Sequence, residues 1–222
     1  MLVVYLDPYH LGDPLFATGL ARDLDARRKA GGSGLALVMG GGEAAERAVE
    51  ALGIEPEHAD GRLVLPTREA AEAAERAARE AHRQLVSALN EEGVHAVRVT
   101  ASDRGLVRPD GTPGKTAWLE TLVAQGAVPV ILSLVSDGDG TGQDVGAAVL
   151  SARLADAMGA HAVVALGTAP AEAGPASLEE AGRWVPSADA LRRMASAGSP
   201  VVVARRSALR SAGEIAGARL VR

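Results

Sequence analysis

A chain of 222 residues suits one large domain or two small lobes. Hydrophobic residues make up 47% of it and aromatics only 2%, so the core has to be built from Ala, Val and Leu. A net charge of -5 argues against nucleic acid and anionic membrane surfaces, and the lack of cysteine excludes disulfides and thiolate metal sites. Asp7 and two prolines interrupt the first apolar run, so no signal pattern is expected, and no run reaches membrane-spanning length. The expectation is a soluble cytoplasmic protein. Lys29 and Lys115 are the only lysines, and any chemistry that needs two must use these.

In chain order, strand-like runs fall at 2–6, 35–39, 62–65, 94–99, 128–135, 160–166, 200–204 and 218–221. They are short, Val-rich and mostly continuous rather than alternating, the pattern of strands buried on both faces. Helical patterns lie between most of them, at 14–30, 43–52, 67–92, 115–125, 144–158 and 187–198. The alternation predicts an α/β fold: a three-layer αβα sandwich with a largely parallel central sheet of 2–6, 35–39, 94–99, 128–135 and 160–166. Residues 136–144 and 167–177 are rich in Gly, Pro and small residues and read as loops. In 67–92, Thr67 can cap the start, and Ala70, Ala73, Ala74, Ala77, Ala81, Leu85, Ala88 and Leu89 form a stripe at helical spacing. That stripe fits close packing either on the chain's own sheet or on a second chain.

Gly40, Gly41 and Gly42 follow a strand and precede a helix, where free N–H groups favour an anion. Gly40, Gly42 and Ala45 match the G-x-G-x-x-A spacing of dinucleotide folds, but the next strand-like run ends in Pro66 where such a site needs an acid. No Gly-Lys-Ser/Thr follows, so a phosphate P-loop is excluded. A turn chosen for strand–helix packing is the alternative; three successive glycines favour a ligand turn. Asp137, Asp139, Thr141 and Gly142 match part of a calcium loop, but Ala148 stands where a bidentate Glu is needed, and a solvated turn is expected. His10, His58, His82, His95 and His161 show no paired metal spacing and read as surface or capping residues. Ser102 and Asp103 follow a strand expected to be central, yet no G-x-S-x-G elbow accompanies them.

The order of these pieces resembles the amino acid kinase family, and within it the acetylglutamate kinases and carrier-bound aminoadipate kinases. "LARDLDARRKAGGSGLALVMGGGEAAERAVEALGIEP" is similar to the family's first helix, second strand and glycine turn. "ADGRLVLPTREAAEAAERAAREAHRQLVSALNEEGVHAVRVTASDRGLV" is similar to its acyl-substrate segment, and "AQGAVPVILSLV" with "DVGAAVLSARLADAMGAHAVVALGTAP" to its later core. The resemblance implies one domain over 1–222, with an acyl-substrate side at 1–135 and a shortened nucleotide side at 136–222. It implies transfer of a phosphoryl group from ATP to a carboxylate, with the acyl-amino-acid near Gly41, Gly42 and Arg62. It also implies a homodimer through helix 67–92.

The departures fall on the basic residues. Tyr5 stands at the position of the family's first-strand lysine, and Asp7 and Pro8 replace its glycine pair. Ala148 stands at the acid that organises the lysines, Ser187 at a second lysine, and His82 at a substrate-side asparagine. The glycine-rich stretch keeps only Asp103 and Gly105. Phosphoryl transfer rests on positive charge around the developing anion, so these losses imply lost catalysis. The expectation is a non-catalytic small-acid-binding or regulatory protein that keeps Gly40, Gly41, Gly42 and Arg62 as substrate-binding residues, with no catalytic residue, no metal and no cofactor. The alternative is an active kinase using MgATP through displaced arginines. A remnant without ligand is a third possibility.

Overall fold

The computed structural model describes residues 1–59, 61–136 and 142–221. The elements in chain order are β1 (Leu2–Leu6), α1 (Pro8–Leu11), α2 (Pro14–Lys29), β2 (Leu35–Met39), α3 (Gly42–Glu50), β3 (His58–Ala59), β4 (Arg62–Leu63) and α4 (Arg68–Glu91). They continue with β5 (Ala96–Thr100), α5 (Ala117–Ala124), β6 (Val128–Leu132), β7 (Leu134–Ser136), β8 (Gly142–Asp144), α6 (Ala147–Ala157) and β9 (Val163–Leu166). The last are β10 (Pro175–Ala176), α7 (Leu178–Gly182), α8 (Ala188–Ser196), β11 (Val201–Ala204) and β12 (Ala218–Leu220).

Eight strands form one sheet in the order β10-β12-β11-β9-β1-β2-β6-β5. Every pair in it is parallel except β11 with β12. The αβα architecture and all five expected central strands are therefore present. β1 alternates: Val3 and Tyr5 join a core with Leu150 and Leu154 of α6 and Leu191 of α8, while Leu2, Val4 and Leu6 join one with Leu20 of α2 and Leu85 of α4. Burial on both faces is why the strand runs are continuous rather than alternating.

Several boundaries differ from the sequence reading. Run 62–65 is outside the main sheet; Arg62 and Leu63 pair with Ala59 and His58 as a small antiparallel hairpin. Run 128–135 breaks at Ser133, whose N–H turns to the Met39 carbonyl, and Leu134–Ser136 pairs with Gly142–Asp144. Thus part of the expected loop 136–144 is strand, and the expected loop 167–177 holds β10 at the sheet edge. Helix α6 starts three residues later than expected, because the chain turns at Gly146 (φ 83°), where the Asp144 carboxylate accepts the Gly146 N–H. The calcium-like Asp137, Asp139 and Thr141 lie outside the described residues.

Thr67 caps α4 as expected, accepting the Ala70 N–H at 3.1 Å. The helix's own chain takes half of the expected stripe, Ala70, Ala74, Leu85 and Leu89, and buries Ala78, His82 and Val86 beside it. Ala73, Ala77, Ala81 and Ala88 are half-buried along the flank.

Candidate functional site

A cleft of about 510 Å³ opens beyond the C-terminal ends of β1 and β2, where open α/β sheets hold ligands. Tyr5 and Asp7 from the end of β1, the turn Gly40–Gly42, Ala148 of α6 and Ser187 before α8 all line it. Three positions singled out in the sequence, Tyr5, Ala148 and Ser187, thus converge on one space from elements far apart in the chain. Neither Lys29 nor Lys115 lines it. Lys29 pairs with Asp25 at 2.5 Å on α2.

Asp7 is buried, 6% exposed, and caps the short helix α1 by accepting the Tyr9 N–H at 3.0 Å. The Tyr5 hydroxyl donates to its Oδ2 at 3.4 Å. Burial, then the Asp7 charge and hydrogen bond, then the Asp144 charge all push the Tyr5 phenol up, so it stays protonated. Asp144 Oδ1 accepts from the Ser133 hydroxyl at 2.6 Å and from the Gly146 N–H at 2.8 Å. Burial nevertheless holds its carboxyl above the usual range, against those bonds and Arg62. Ser187 accepts the Ala190 N–H at 3.1 Å and so caps α8.

The glycine turn has packing reasons that the sequence did not reveal. A Cβ at Gly41 would stand 2.8 Å from Ala45 Cβ and 3.1 Å from Ala78 Cβ. Gly42 adopts φ 53°, with Pro8 Cβ 3.1 Å from its Cβ position. Gly40 is the exception, with ordinary clearance and Asp144 Oδ2 at 3.5 Å. Pro8 thus covers Gly42, and Asp144 faces Gly40.

Arg62 is half-buried at the rim, its Cγ 3.6 Å from the Cβ position of Gly146. The hairpin that carries it is tied to both sides of the cleft. His58 faces Glu46 of α3 at 3.2 Å, and Arg193 of α8 lies against Gly61. Sequence reasoning missed Glu46, Glu75, Asp144 and Asp189, which also line the cleft. Asp144 opens the "DVGAA" run whose alanine drew notice, so a signal existed there; the others sit on ordinary solvent-facing patterns.

Other singled-out residues do not meet the cleft. His82 is buried, with Nε2 2.8 Å from the Val130 carbonyl, and burial lowers its pKa. It is therefore neither a surface residue nor part of the cleft lining. The strand before Ser102 and Asp103 is the sheet edge, not its centre, and Asp103 accepts the Thr100 N–H at 2.7 Å to shape the turn. His10 stacks on Phe16 and contacts the Leu166 carbonyl at 3.3 Å. Among the described residues no group of three or more His, Asp or Glu could hold a metal ion, and no helix is long and apolar enough to cross a membrane.

Residues 12–170 match the family described as "Amino acid kinase family". Acetylglutamate kinase of Prochlorococcus marinus (strain NATL1A) is 30% identical over 187 residues, 77% of this chain and 61% of that protein. Acetylglutamate kinase of Trichormus variabilis (strain ATCC 29413 / PCC 7937) is 29% identical over 144 residues, 59% of this chain and 48% of that protein. The chain thus spans about half to three-fifths of the length of these curated relatives. Among solved structures, N-acetylglutamate synthase from Neisseria gonorrhoeae, complexed with coenzyme A and N-acetyl-glutamate, superposes with TM-score 0.71 at 19% identity, over 100% of this chain and 59% of that one. Isopentenyl phosphate kinase gives TM-score 0.63 at 15% identity, over 99% of each chain. At such identities these structures establish the fold. The family match covers well over half of the sequence, and this chain belongs to the amino acid kinase family.

Proposed function

We propose that this chain is an acetylglutamate kinase-like protein that has lost phosphoryl transfer and binds a small carboxylate. One observation carries the reading: Tyr5, Ala148 and Ser187 share a cleft that no lysine lines. Phosphoryl transfer depends on cations that neutralise the phosphates, and losing one such donor typically costs about 3 kcal/mol of barrier. Here Asp7 and Asp144 face the same space and would repel a triphosphate. The residues present do not fit MgATP. Arg62, which packs against Gly146 of the cleft lining, supplies positive charge for a carboxylate. The acetylglutamate kinase relatives support amino-acid metabolism as the setting.

A coupled ADP-release assay with N-acetylglutamate should show no turnover, and calorimetry should show no micromolar MgATP affinity. Micromolar ATP affinity with turnover would restore the alternative, an active kinase acting on an N-acylated glutamate or aminoadipate. That alternative is favoured by the 30% identity, by Arg193 on the cleft lining and by Arg62 against Gly146. A homodimer through the half-buried flank of α4 belongs to the same reading. Sedimentation as a monomer at micromolar concentration would remove it.

A further inference from the structure

The side of the cleft away from Arg62 has the charge of a cation site. Asp7, Glu46, Asp144 and Asp189 line the cleft; Glu46 faces His58 at 3.2 Å and Asp189 faces Arg193 at 2.7 Å, so the site rests on Asp7 and Asp144. Asp7 is 94% removed from solvent by its exposure of 6%, yet the bonds to its oxygens come from neutral donors, the Tyr9 N–H and the Tyr5 hydroxyl. Asp144 also accepts from neutral donors, the Ser133 hydroxyl and the Gly146 N–H, and both use Oδ1. Its Oδ2 faces Gly40 on the cleft lining, 3.5 Å from that glycine's Cβ position. A recessed carboxylate held by neutral donors keeps most of its desolvation cost, which an arriving cation would recover. Burial holds the Asp144 carboxyl up, and burial first, then the Asp7 and Asp144 charges, hold the Tyr5 phenol up and neutral beside them. The space, about 510 Å³, is in the range of small-molecule pockets.

We infer that the cleft takes a small ligand bearing a primary ammonium, with its nitrogen beside the Tyr5 hydroxyl between the Asp7 and Asp144 carboxylates and its carboxylate toward Arg62. This rests on the reading of the cleft as a small-acid site and narrows it to an amino acid with a free amine. The ammonium has three donors; Asp144 Oδ2, Asp7 Oδ2 and the Tyr5 oxygen are acceptors on one side of the cleft. An acylated amine loses the charge and two of those donors.

The test is a matched pair, L-glutamate and N-acetyl-L-glutamate, which share both carboxylates and differ in the ammonium. Calorimetry should give L-glutamate at least tenfold tighter binding. Asp144→Asn keeps both Oδ1 bonds and should weaken L-glutamate at least fivefold while leaving N-acetyl-L-glutamate unchanged; Asp7→Asn should do the same. Circular dichroism melts check folding, and Asp144→Asn carries the result if Asp7→Asn fails to fold. Tighter binding of N-acetyl-L-glutamate would overturn the inference and leave the small-acid reading standing. Binding of neither would overturn both. Preference for L-glutamate together with ATP turnover would uphold the ammonium site and overturn the loss of catalysis.

Discussion

The Tyr5 hydroxyl donates to Asp7 Oδ2 across 3.4 Å at the C-terminal end of the central strand. This places a neutral phenol beside a buried carboxylate at the edge of the cleft. Tyr5→Lys would put an ammonium there permanently. It should weaken L-glutamate binding at least tenfold by occupying the ligand nitrogen's position, as calorimetry would measure. It should not create ATP turnover, because Ala148 and Ser187 are unchanged and residues acting as a unit do not restore activity singly.

Asp144 makes the cleft at a cost in stability. Its folded-state pKa is raised by burial, so the folded chain binds a proton more readily than the unfolded chain. Stability therefore falls as pH rises from the ordinary Asp value of about 3.9 through the folded value, and the penalty persists at neutral pH. Asp144→Asn should raise the thermal midpoint at pH 7, and the gain should vanish near pH 3. The same substitution is expected to weaken L-glutamate binding, a trade between stability and function that binding sites commonly show.

His82 gives the opposite slope. Burial lowers its pKa, so the unfolded chain takes the proton first. The stability it contributes is complete above the ordinary histidine value of about 6.5 and declines as pH falls from there toward the folded value. Urea unfolding of wild type between pH 7.5 and 5 should show this decline. His82→Gln should reduce it, because Gln does not titrate and its amide can still reach the Val130 carbonyl.

Gly41→Val tests the packing role of the glycine turn. The new Cβ would meet Ala45 at 2.8 Å and Ala78 at 3.1 Å, contacts too close for α3 and α4 to keep their spacing. Overpacking of this kind costs roughly 1–3 kcal/mol, readable as a lower urea midpoint. An unchanged midpoint would mean that the turn is spaced for a ligand and not for its neighbours.

Asp23 on α2 has no exposed surface and receives Arg206 Nε at 2.7 Å and Arg210 Nε at 2.5 Å, which fastens residues 206–210 onto the helix. Asp23→Ala should cost about 2–3 kcal/mol by urea unfolding. That is below the full penalty for breaking a buried pair, because both arginines reach water and can rehydrate.

The sequence alone determined the architecture and the absence of the expected lysines. Short, continuous Val-rich runs and amphipathic intervals follow from local periods, and a residue type at a position needs no coordinates. It could not settle run 62–65, because a short run with three apolar residues reads alike in a sheet core and in a hairpin, and strand pairing is a long-range contact. The tertiary structure decided which face of α4 is buried, and why Gly41 and Gly42 are glycines. Both depend on Ala78 and Pro8 arriving from elsewhere in the chain. It also decided the sign of the cleft. Asp7, Glu46, Asp144 and Asp189 are scattered over more than 180 residues, and each alone resembles a solvated acid. Only folding brings them to one space, where lost water makes their charges costly and gives a ligand's cation something to neutralise.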